Sequence, residues 1–166
     1  MTNINFDSKY TLWYHSITEK SWAKDSYINL CQDFTEKNVD SSDKLGAIYG
    51  KLNNNFNAGM FFLMKNDILP LWEDPVNING GYWSIKIPKK KSSEIWVKLS
   101  AVFVGNQLFN NEQDVKNTTG ISISPKISNC VIKIWLSKRN KVESFSKMEF
   151  LQLDNVRFTP HRRKKY

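Results

Sequence analysis

Residues 69–85 read LPLWEDPVNINGGYWSI, a loop followed by a strand. The prolines and the Gly-Gly pair predict a loop over Pro70–Gly81, and alternating apolar and polar side chains predict a strand over Tyr82–Ile87. The loop carries Trp72, with the carboxylate of Glu73 beside it. A large aromatic side chain on a polar loop is often a binding residue, and the alternative is an indole folded back onto the core. This stretch therefore indicates a sheet protein with a candidate binding loop.

The segments on either side predict further strands and three helices. Strands are predicted at Tyr10–Tyr14, Met60–Met64, Gly120–Ser124, Val131–Leu136 and Val156–Thr159. Helices are predicted at Asp40–Leu52, Ser93–Val104 and Glu143–Leu151, with Ser93 capping the second helix and Gly105 closing it. Because few strand–helix–strand units alternate strictly, an α+β fold with an antiparallel sheet and helices on one face is favoured over a doubly wound sheet.

The composition is that of one ordinary globular domain. The chain has 166 residues, close to one domain at roughly 150 residues each, and its 40% hydrophobic and 13% aromatic residues exclude a disordered or fibrous chain. No apolar run reaches the roughly 18 residues of a membrane span, and no apolar secretory signal opens the sequence, so a soluble protein is expected. Cys31 and Cys130 suit a reducing compartment, and with only His15 and His161 neither a metal site nor a cofactor is expected.

The positive charge lies in the second half of the chain. Residues 1–83 carry 7 lysines and 10 acidic residues, whereas residues 84–166 carry 17 lysines and arginines and 6 acidic residues. Such a basic half predicts an anionic partner, namely a nucleic acid, a nucleotide or a membrane surface. The alternative is a lysine-rich surface that is simply solvated.

Trp22 is a second tryptophan in a polar, loop-like context, within the sequence EKSWAK. Two loop indoles can stack on both faces of a nucleobase, and a carboxylate such as that of Glu73 only accepts hydrogen bonds. Guanine presents two adjacent donors, N1–H and N2–H₂, and methylation at N7 adds a positive charge that is attracted to indole faces. Trp22, Trp72 and Glu73 together therefore predict binding of a methylated guanine, whose phosphates a basic patch would hold.

Seven short stretches extend this pattern over roughly residues 9–160. They are Tyr10–Tyr14, Lys20–Trp22, Leu69–Asp74, Asn79–Trp83, Ile95–Val97, Val104–Asn106 and Ile132–Trp135. In this order they resemble the eukaryotic translation initiation factor 4E family, which binds the 5′ cap of messenger RNA, and Trp-Glu-Asp followed by Gly-Gly-x-Trp is the specific part. The resemblance implies a curved antiparallel sheet of about eight strands with three helices on its convex face. It divides the chain into a short N-terminal tail at 1–8, a single cap-binding domain at 9–160 and a basic C-terminal tail at 161–166.

The resemblance also implies a role for each residue of the cap site. Trp22 and Trp72 would sandwich the 7-methylguanine. Glu73 would accept the hydrogen bonds of the guanine edge, the Trp72 backbone N–H would donate to O6, and Trp135 would pack near the N7-methyl group. The phosphates and first nucleotides would meet the basic residues Lys126, Lys133, His161, Arg162 and Lys164.

The chain departs from the family at the phosphate site and on the convex face. A phosphate-binding lysine of the family falls on Val131, and Lys133 lies two residues further on, on the same sheet face. In the family, partner proteins bind this face through a helix with the pattern Tyr-x-x-x-x-Leu-apolar, and the positions that hold them fall on Ser42, Gly46, Val97, Lys98 and Ala101. Gly46 stands where the family has a large tryptophan and Lys98 where it has a glutamate, so weak or no binding to the ordinary partners is expected.

The predicted function is binding of capped messenger RNA, with 7-methyl-GTP as the minimal ligand, to recruit messages in translation initiation. The resemblance implies a scaffold protein of the initiation-factor 4G type, or a dedicated partner, on the convex face. A monomer without membrane contact is expected. The expected location is the cytoplasm, of the host cell if the protein is viral, with the nucleus as a further compartment.

Three alternatives to this function stay open. The first is a cap-binding repressor or decoy, motivated by Gly46 and Lys98. The second is a general single-stranded RNA binder, which predicts no preference for methylated guanine. The third is an enzyme, which is disfavoured because the sequence offers no nucleophile with a neighbouring base, no metal-ligand cluster and no P-loop.

Overall fold

The computed structural model describes residues 2–32 and 38–162, which form an open sheet of eight strands and three α-helices. The strands are β1 Asn5–His15, β2 Ile28–Asn29, β3 Val39–Ser41, β4 Met60–Lys65, β5 Gly81–Pro88, β6 Thr118–Pro125, β7 Asn129–Leu136 and β8 Arg157–Pro160. The helices are α1 Ser42–Lys51, α2 Ser92–Val104 and α3 Glu112–Asn117. Within these residues no helix has both the length and the apolar character that crossing a membrane requires.

The sheet is antiparallel throughout. Its strands follow the order β2-β1-β4-β6-β7-β5-β8, and β3 also pairs with β1. The predicted α+β fold is therefore confirmed, and all six predicted strands overlap observed ones. The sequence does not predict β2 and β3, because two and three residues are too few to show a period. β1 begins inside residues 1–8, which the resemblance implies to be a tail, and its residue Asn5 pairs with Ser41.

Alternation along the strands separates two apolar clusters on opposite faces of the sheet. One face carries the main core, where Leu12 of β1, Leu63 of β4 and Ile132 of β7 are fully buried together with side chains of α1 and α2. The other face carries a smaller cluster that includes Phe62 and Trp135. The helices therefore cover one face of the sheet and leave the other free to form a site.

The two longer helices are confirmed, but each begins at a different residue from the one predicted. Asp40 and Ser41, the first residues predicted for α1, lie in β3. Helix α1 buries Leu45 and Ile48, as its apolar spacing predicts. Helix α2 ends at the predicted Gly105, whose N–H donates to the carbonyl of Ala101 at 3.0 Å. The predicted cap at Ser93 is wrong, because α2 already begins at Ser92 and the Ser93 hydroxyl instead accepts the backbone N–H of Phe56 at 2.9 Å.

The helix predicted at Glu143–Leu151 is wrong. The segment makes a 3₁₀ turn at Val142–Ser144, places Phe145 in an isolated bridge to Phe109 and turns again at residues 149–150. The N–H of Ser146 donates to the carbonyl of Leu108 at 3.0 Å, so the middle of the segment bonds to a neighbouring segment. The bonds within the segment are those of short turns, such as the N–H of Leu151 to the carbonyl of Met148 at 3.3 Å. Phe145 and Leu151 are buried in the main core although the segment is not helical, so their spacing does not require a helix.

The third helix, α3, lies upstream of β6. Its sequence EQDVKN contains one apolar residue and therefore no stripe that periodicity detects. The side chain of Asn111 caps it by accepting the backbone N–H of Asp114 at 2.9 Å. Local capping, not an apolar face, marks this helix.

Candidate ligand-binding site

The sheet face without helices holds a cavity of about 600 Å³, within the size range of small-molecule sites. Strands β4 to β7 contribute to it, together with segments 16–27 and 66–80 and the end of β8. It is lined by seven of the predicted site residues: Trp22, Trp72, Glu73, Lys126, Lys133, Trp135 and His161. Arg162 is exposed and does not line the cavity, and Lys164 lies outside the described residues.

Trp22 and Trp72 reach the cavity from two different loops. Trp22 remains 56% exposed and Trp72 45% exposed, which is unusual for the largest apolar side chain. One face of Trp22 is covered, because its ring stacks on His15 with centroids 4.4 Å apart and an angle of 2° between the planes. Both indoles thus keep surface available for a flat ligand.

The loop that carries Trp72 is held by two polar side chains. Asp74 accepts the backbone N–H of Leu69 and that of Val76, each at 2.9 Å. Asn77 is fully buried, and its amide donates to the carbonyls of Leu69 and Leu71 at 3.2 and 2.9 Å. These bonds give the loop a defined shape without regular secondary structure, so Trp72 and Glu73 are presented by a rigid support.

Glu73 is exposed at the cavity and is free to accept hydrogen bonds. Among the described residues its carboxylate forms neither a hydrogen bond nor an ion pair. Its charge acts on Tyr27, whose pKa is raised to about 12 by burial and, to a smaller extent, by Glu73. A carboxylate with uncommitted oxygens beside two indoles is suited to a ligand edge that carries adjacent donors.

Trp135 forms part of the cavity wall and is itself buried, with 7% of its surface exposed. Its indole N–H donates to the hydroxyl of Ser122 at 3.0 Å, and Phe62 meets it nearly at right angles with centroids 6.2 Å apart. The ring orientation is therefore fixed, and the side chain offers the cavity a limited apolar surface.

Two lysines supply the positive charge at the cavity. Lys126 lines it, and the ammonium group of Lys133 lies 4.3 Å from the centre of the Tyr82 ring. His161 packs against Trp135 and Tyr82, with centroid distances of 5.1 and 5.6 Å. Burial, and secondarily the charge of Lys133, lowers the pKa of His161 to about 4, so its ring is neutral at pH 7. His161 would therefore meet an anion as a neutral imidazole.

Sequence reasoning missed several residues of the wall. Tyr27, Phe62, Tyr82 and Ser122 all line the cavity, yet none belongs to a polar loop motif. Phe62, Tyr82 and Ser122 lie on strands and alternate with residues of the main core. The sequence could have identified these three residues by alternation, because each is next to a core residue on its strand and therefore lies on the opposite face, which also carries Trp135.

The predicted partner-binding positions lie on the other side of the sheet. A second cavity of about 410 Å³, here called the helix-face groove, is formed by α1, α2 and the start of β1. Four of the five positions line it, namely Ser42, Gly46, Val97 and Ala101. A side chain added at Gly46 would enter open space, with no atom within 4 Å of its first carbon. Lys98 does not line the groove and instead pairs with Glu94 at 2.8 Å.

The chain is similar to translation initiation factors in sequence. The family model for eukaryotic initiation factor 4E matches residues 5–165. A wheat (Triticum aestivum) eukaryotic translation initiation factor NCBP is 37% identical over 73 residues, which are 44% of this chain and 30% of the relative. An eIF4E homolog of Acanthamoeba polyphaga mimivirus is 29% identical over 86 residues, 52% of this chain and 32% of the relative. These matches thus span about a third of each relative's length.

Solved structures share the fold. C. elegans eIF4E-3, in complex with the 4E-binding protein Mextli and a cap analog, matches with a TM-score of 0.68 and 18% identity, covering 82% of this chain and 76% of that one. Schistosome eIF4E, complexed with m7GpppG and 4E-BP, matches with a TM-score of 0.71 and 16% identity, covering 87% and 78%. At these identities the likeness establishes the fold.

Proposed function

The chain belongs to the eukaryotic initiation factor 4E family, and on that premise we propose that it binds the 7-methylguanosine cap of messenger RNA to recruit messages in translation initiation. The observation that carries the proposal is the meeting of Trp22, Trp72 and Glu73 at one cavity. Two partly exposed indoles and an uncommitted carboxylate match the two faces and the donor edge of one purine base.

Recognition of the base divides among these side chains. The indoles of Trp22 and Trp72 stack on its two faces, and the positive charge of the 7-methylated ring strengthens the attraction to both. Glu73 accepts N1–H and N2–H₂, and the backbone N–H of Trp72 donates to O6. Trp135 packs near the N7-methyl group. Methylation and guanine identity are then read by different groups, so separate substitutions will affect them separately.

Glu73→Gln is expected to weaken binding of 7-methyl-GTP by about tenfold to a hundredfold, because hydrogen bonds to a charged group contribute about 1.5–3 kcal/mol. The loss should be smaller for 7-methyl-ITP, which lacks the 2-amino group. Calorimetric titration of both nucleotides against the parent and the variant measures this. Glu143→Gln, at an exposed acid away from the cavity, is the matched control. Unchanged affinity of the Glu73 variant would contradict the assigned role.

The phosphates of the cap meet the two lysines of the cavity, Lys126 and Lys133. His161 adds a neutral imidazole and Arg162 is exposed next to it in the chain. Contacts of Arg162 and Lys164 with the first nucleotides are part of the proposal. The family has a phosphate-binding lysine at the position of Val131. Lys133 lines the cavity beside Tyr82, and this supports the proposal that Lys133 replaces that lysine.

Lys126→Ala and Lys133→Ala are each expected to reduce the preference for 7-methyl-GTP over 7-methyl-GMP and to flatten the salt dependence of binding. The reason is that each variant removes one cation facing the phosphates, and such contacts are screened by salt. Titrations at two or more salt concentrations measure both effects, with Lys141→Ala, exposed and outside the cavity, as control. An unchanged triphosphate preference in both variants would show that the phosphates bind away from these two lysines.

A cap-binding repressor or decoy is the second candidate function, and the space beside Gly46 favours it. Interfaces concentrate their energy in large aromatic anchors, and the helix-face groove has none at this position. A scaffold of the initiation-factor 4G type would therefore bind weakly, unless a dedicated partner brings its own bulky side chain. The protein itself is proposed to be a monomer.

Gly46→Trp is expected to raise the affinity for a Tyr-x-x-x-x-Leu-apolar peptide by at least about tenfold, since an anchor residue commonly contributes 2 kcal/mol or more. Gly46→Ala is the control, because it removes a helix glycine without creating an anchor. Fluorescence anisotropy with a labelled peptide measures the affinities. Tight binding of the peptide by the parent would contradict the expectation that the helix-face groove binds such peptides weakly.

A further inference from the structure

His15 lies directly beneath Trp22. It is the last residue of β1, pairs with Met60 of β4 and is fully buried. Its ring is parallel to the Trp22 indole at 4.4 Å, and Tyr27 packs beside it with centroids 4.7 Å apart and a tilt of 53°. The imidazole is thus an aromatic platform that the sheet holds in place.

His15 also tethers the backbone beside Trp22. Its Nε2 lies 2.9 Å from the carbonyl oxygen of Ser21, and because a carbonyl only accepts, Nε2 carries the proton and donates. The other hydrogen bonds that segment 16–27 makes among the described residues stay within that segment. The tether from His15 therefore connects a self-contained loop to the sheet.

The aromatic contacts continue from His15 to the cavity wall. Tyr27 meets Phe62 edge-on with centroids 5.5 Å apart, and Phe62 meets Trp135 at 6.2 Å. The orientation of the exposed indole on the loop is thereby linked to the buried indole of the wall through rings in contact.

We propose that His15 is a positioning residue for ligand binding, which holds Trp22 with one face covered and the other available for stacking. This inference rests on the proposed function for its ligand, a cationic methylated base. A loop without this support would populate several orientations, and the apparent affinity falls with the fraction that is competent to bind.

The test compares three substitutions of His15. His15→Ala removes ring and tether, and is expected to weaken 7-methyl-GTP binding by about tenfold from the loss of one aromatic pair and one hydrogen bond. His15→Phe keeps the ring and should stay within about threefold of the parent, whereas His15→Gln keeps a donor and should fall between the two. Ile123→Val, in the main core on the opposite face, is a control that loses stability without touching the loop.

A spectroscopic readout separates positioning from general destabilisation. In protein labelled with 5-fluorotryptophan, the ¹⁹F signal of Trp22, assigned with Trp22→Phe, should move toward an exposed position and broaden in His15→Ala. The signal should stay near the parental position in His15→Phe and in Ile123→Val. This comparison uses the ligand-free protein, so it does not depend on the proposed function.

The two hypotheses fail in different ways. Parental affinity and an unmoved Trp22 signal in His15→Ala would overturn the positioning role while leaving cap binding intact. An equal loss of affinity in Ile123→Val would overturn it as well, because the loss would then follow from stability alone. Failure of the parent to bind 7-methyl-GTP would overturn the proposed function and with it the ligand named here, whereas the ¹⁹F comparison would still decide whether His15 holds Trp22.

Discussion

Trp72→Ala is expected to weaken binding of 7-methyl-GTP by about tenfold to several hundredfold. Base–aromatic stacking contributes about 1–3 kcal/mol per contact, and a desolvated cation–π contact about 2 kcal/mol or more. Trp72 is 45% exposed in the ligand-free protein, so its removal takes away ligand contacts while costing the core little. This variant is therefore expected to lose affinity for the nucleotide and to keep nearly the parental free energy of unfolding.

The control for Trp72→Ala comes from the same loop. Val76 is 46% exposed and does not line the cavity. Val76→Ala therefore shortens a side chain of the same loop without removing a ring that could stack on the base. Calorimetric titration of 7-methyl-GTP should give parental affinity for Val76→Ala and an intermediate value for Trp72→Phe, which keeps a smaller ring. If Trp72→Ala binds as tightly as Val76→Ala, this indole does not contact the base.

Gly80→Ala is expected to lower the free energy of unfolding by about 3 kcal/mol, at the upper end for an inserted methyl group. A methyl group at this position would overlap the carbonyl oxygen of Leu136, a backbone atom of β7 that cannot swing away. Gly80 also links the Trp72 loop to the segment after β8, because its N–H donates to the backbone carbonyl of Asn77 at 2.9 Å and its carbonyl accepts the N–H of His161 at 3.0 Å. The variant should therefore disturb both the Trp72 loop and the segment after β8.

Gly50→Ala provides the opposite expectation for the same chemical change. Gly50 lies in α1, and a methyl group there meets no atom within 4 Å, so the variant should gain about 0.5–1 kcal/mol from helix propensity. Urea unfolding of the two variants measures the difference. A Gly80→Ala protein as stable as the parent would show that the close approach to β7 is not required.

The elements that can be predicted from the sequence are those whose signal is local. Ile132 and Ile134 alternate with Lys133 and Trp135, so β7 is visible as a strand with two different faces. Helix α1 is visible from its apolar spacing. The segment 143–151 has a similar spacing but forms no helix, because its backbone finds partners in a segment more than thirty residues away, as between Ser146 and Leu108.

The candidate site also contains residues that the sequence predicts and residues that it does not. Trp22, Trp72 and Glu73 can be selected from the sequence because tryptophans are unusual on polar loops. His15 and Asn77 cannot, since the stacking of one and the two hydrogen bonds of the other depend on how the loops fold back. The residues that touch a ligand are thus more visible in the sequence than those that support them.

The most direct test of cap binding is quenching of tryptophan fluorescence by 7-methyl-GTP, with GTP as control. The proposed stack predicts strong, saturable quenching by the methylated nucleotide and much weaker quenching by GTP, because only the methylated base is cationic. Equal quenching by both would contradict methyl recognition and indicate a general nucleotide or RNA binder. No quenching by either would contradict the cap site at Trp22 and Trp72.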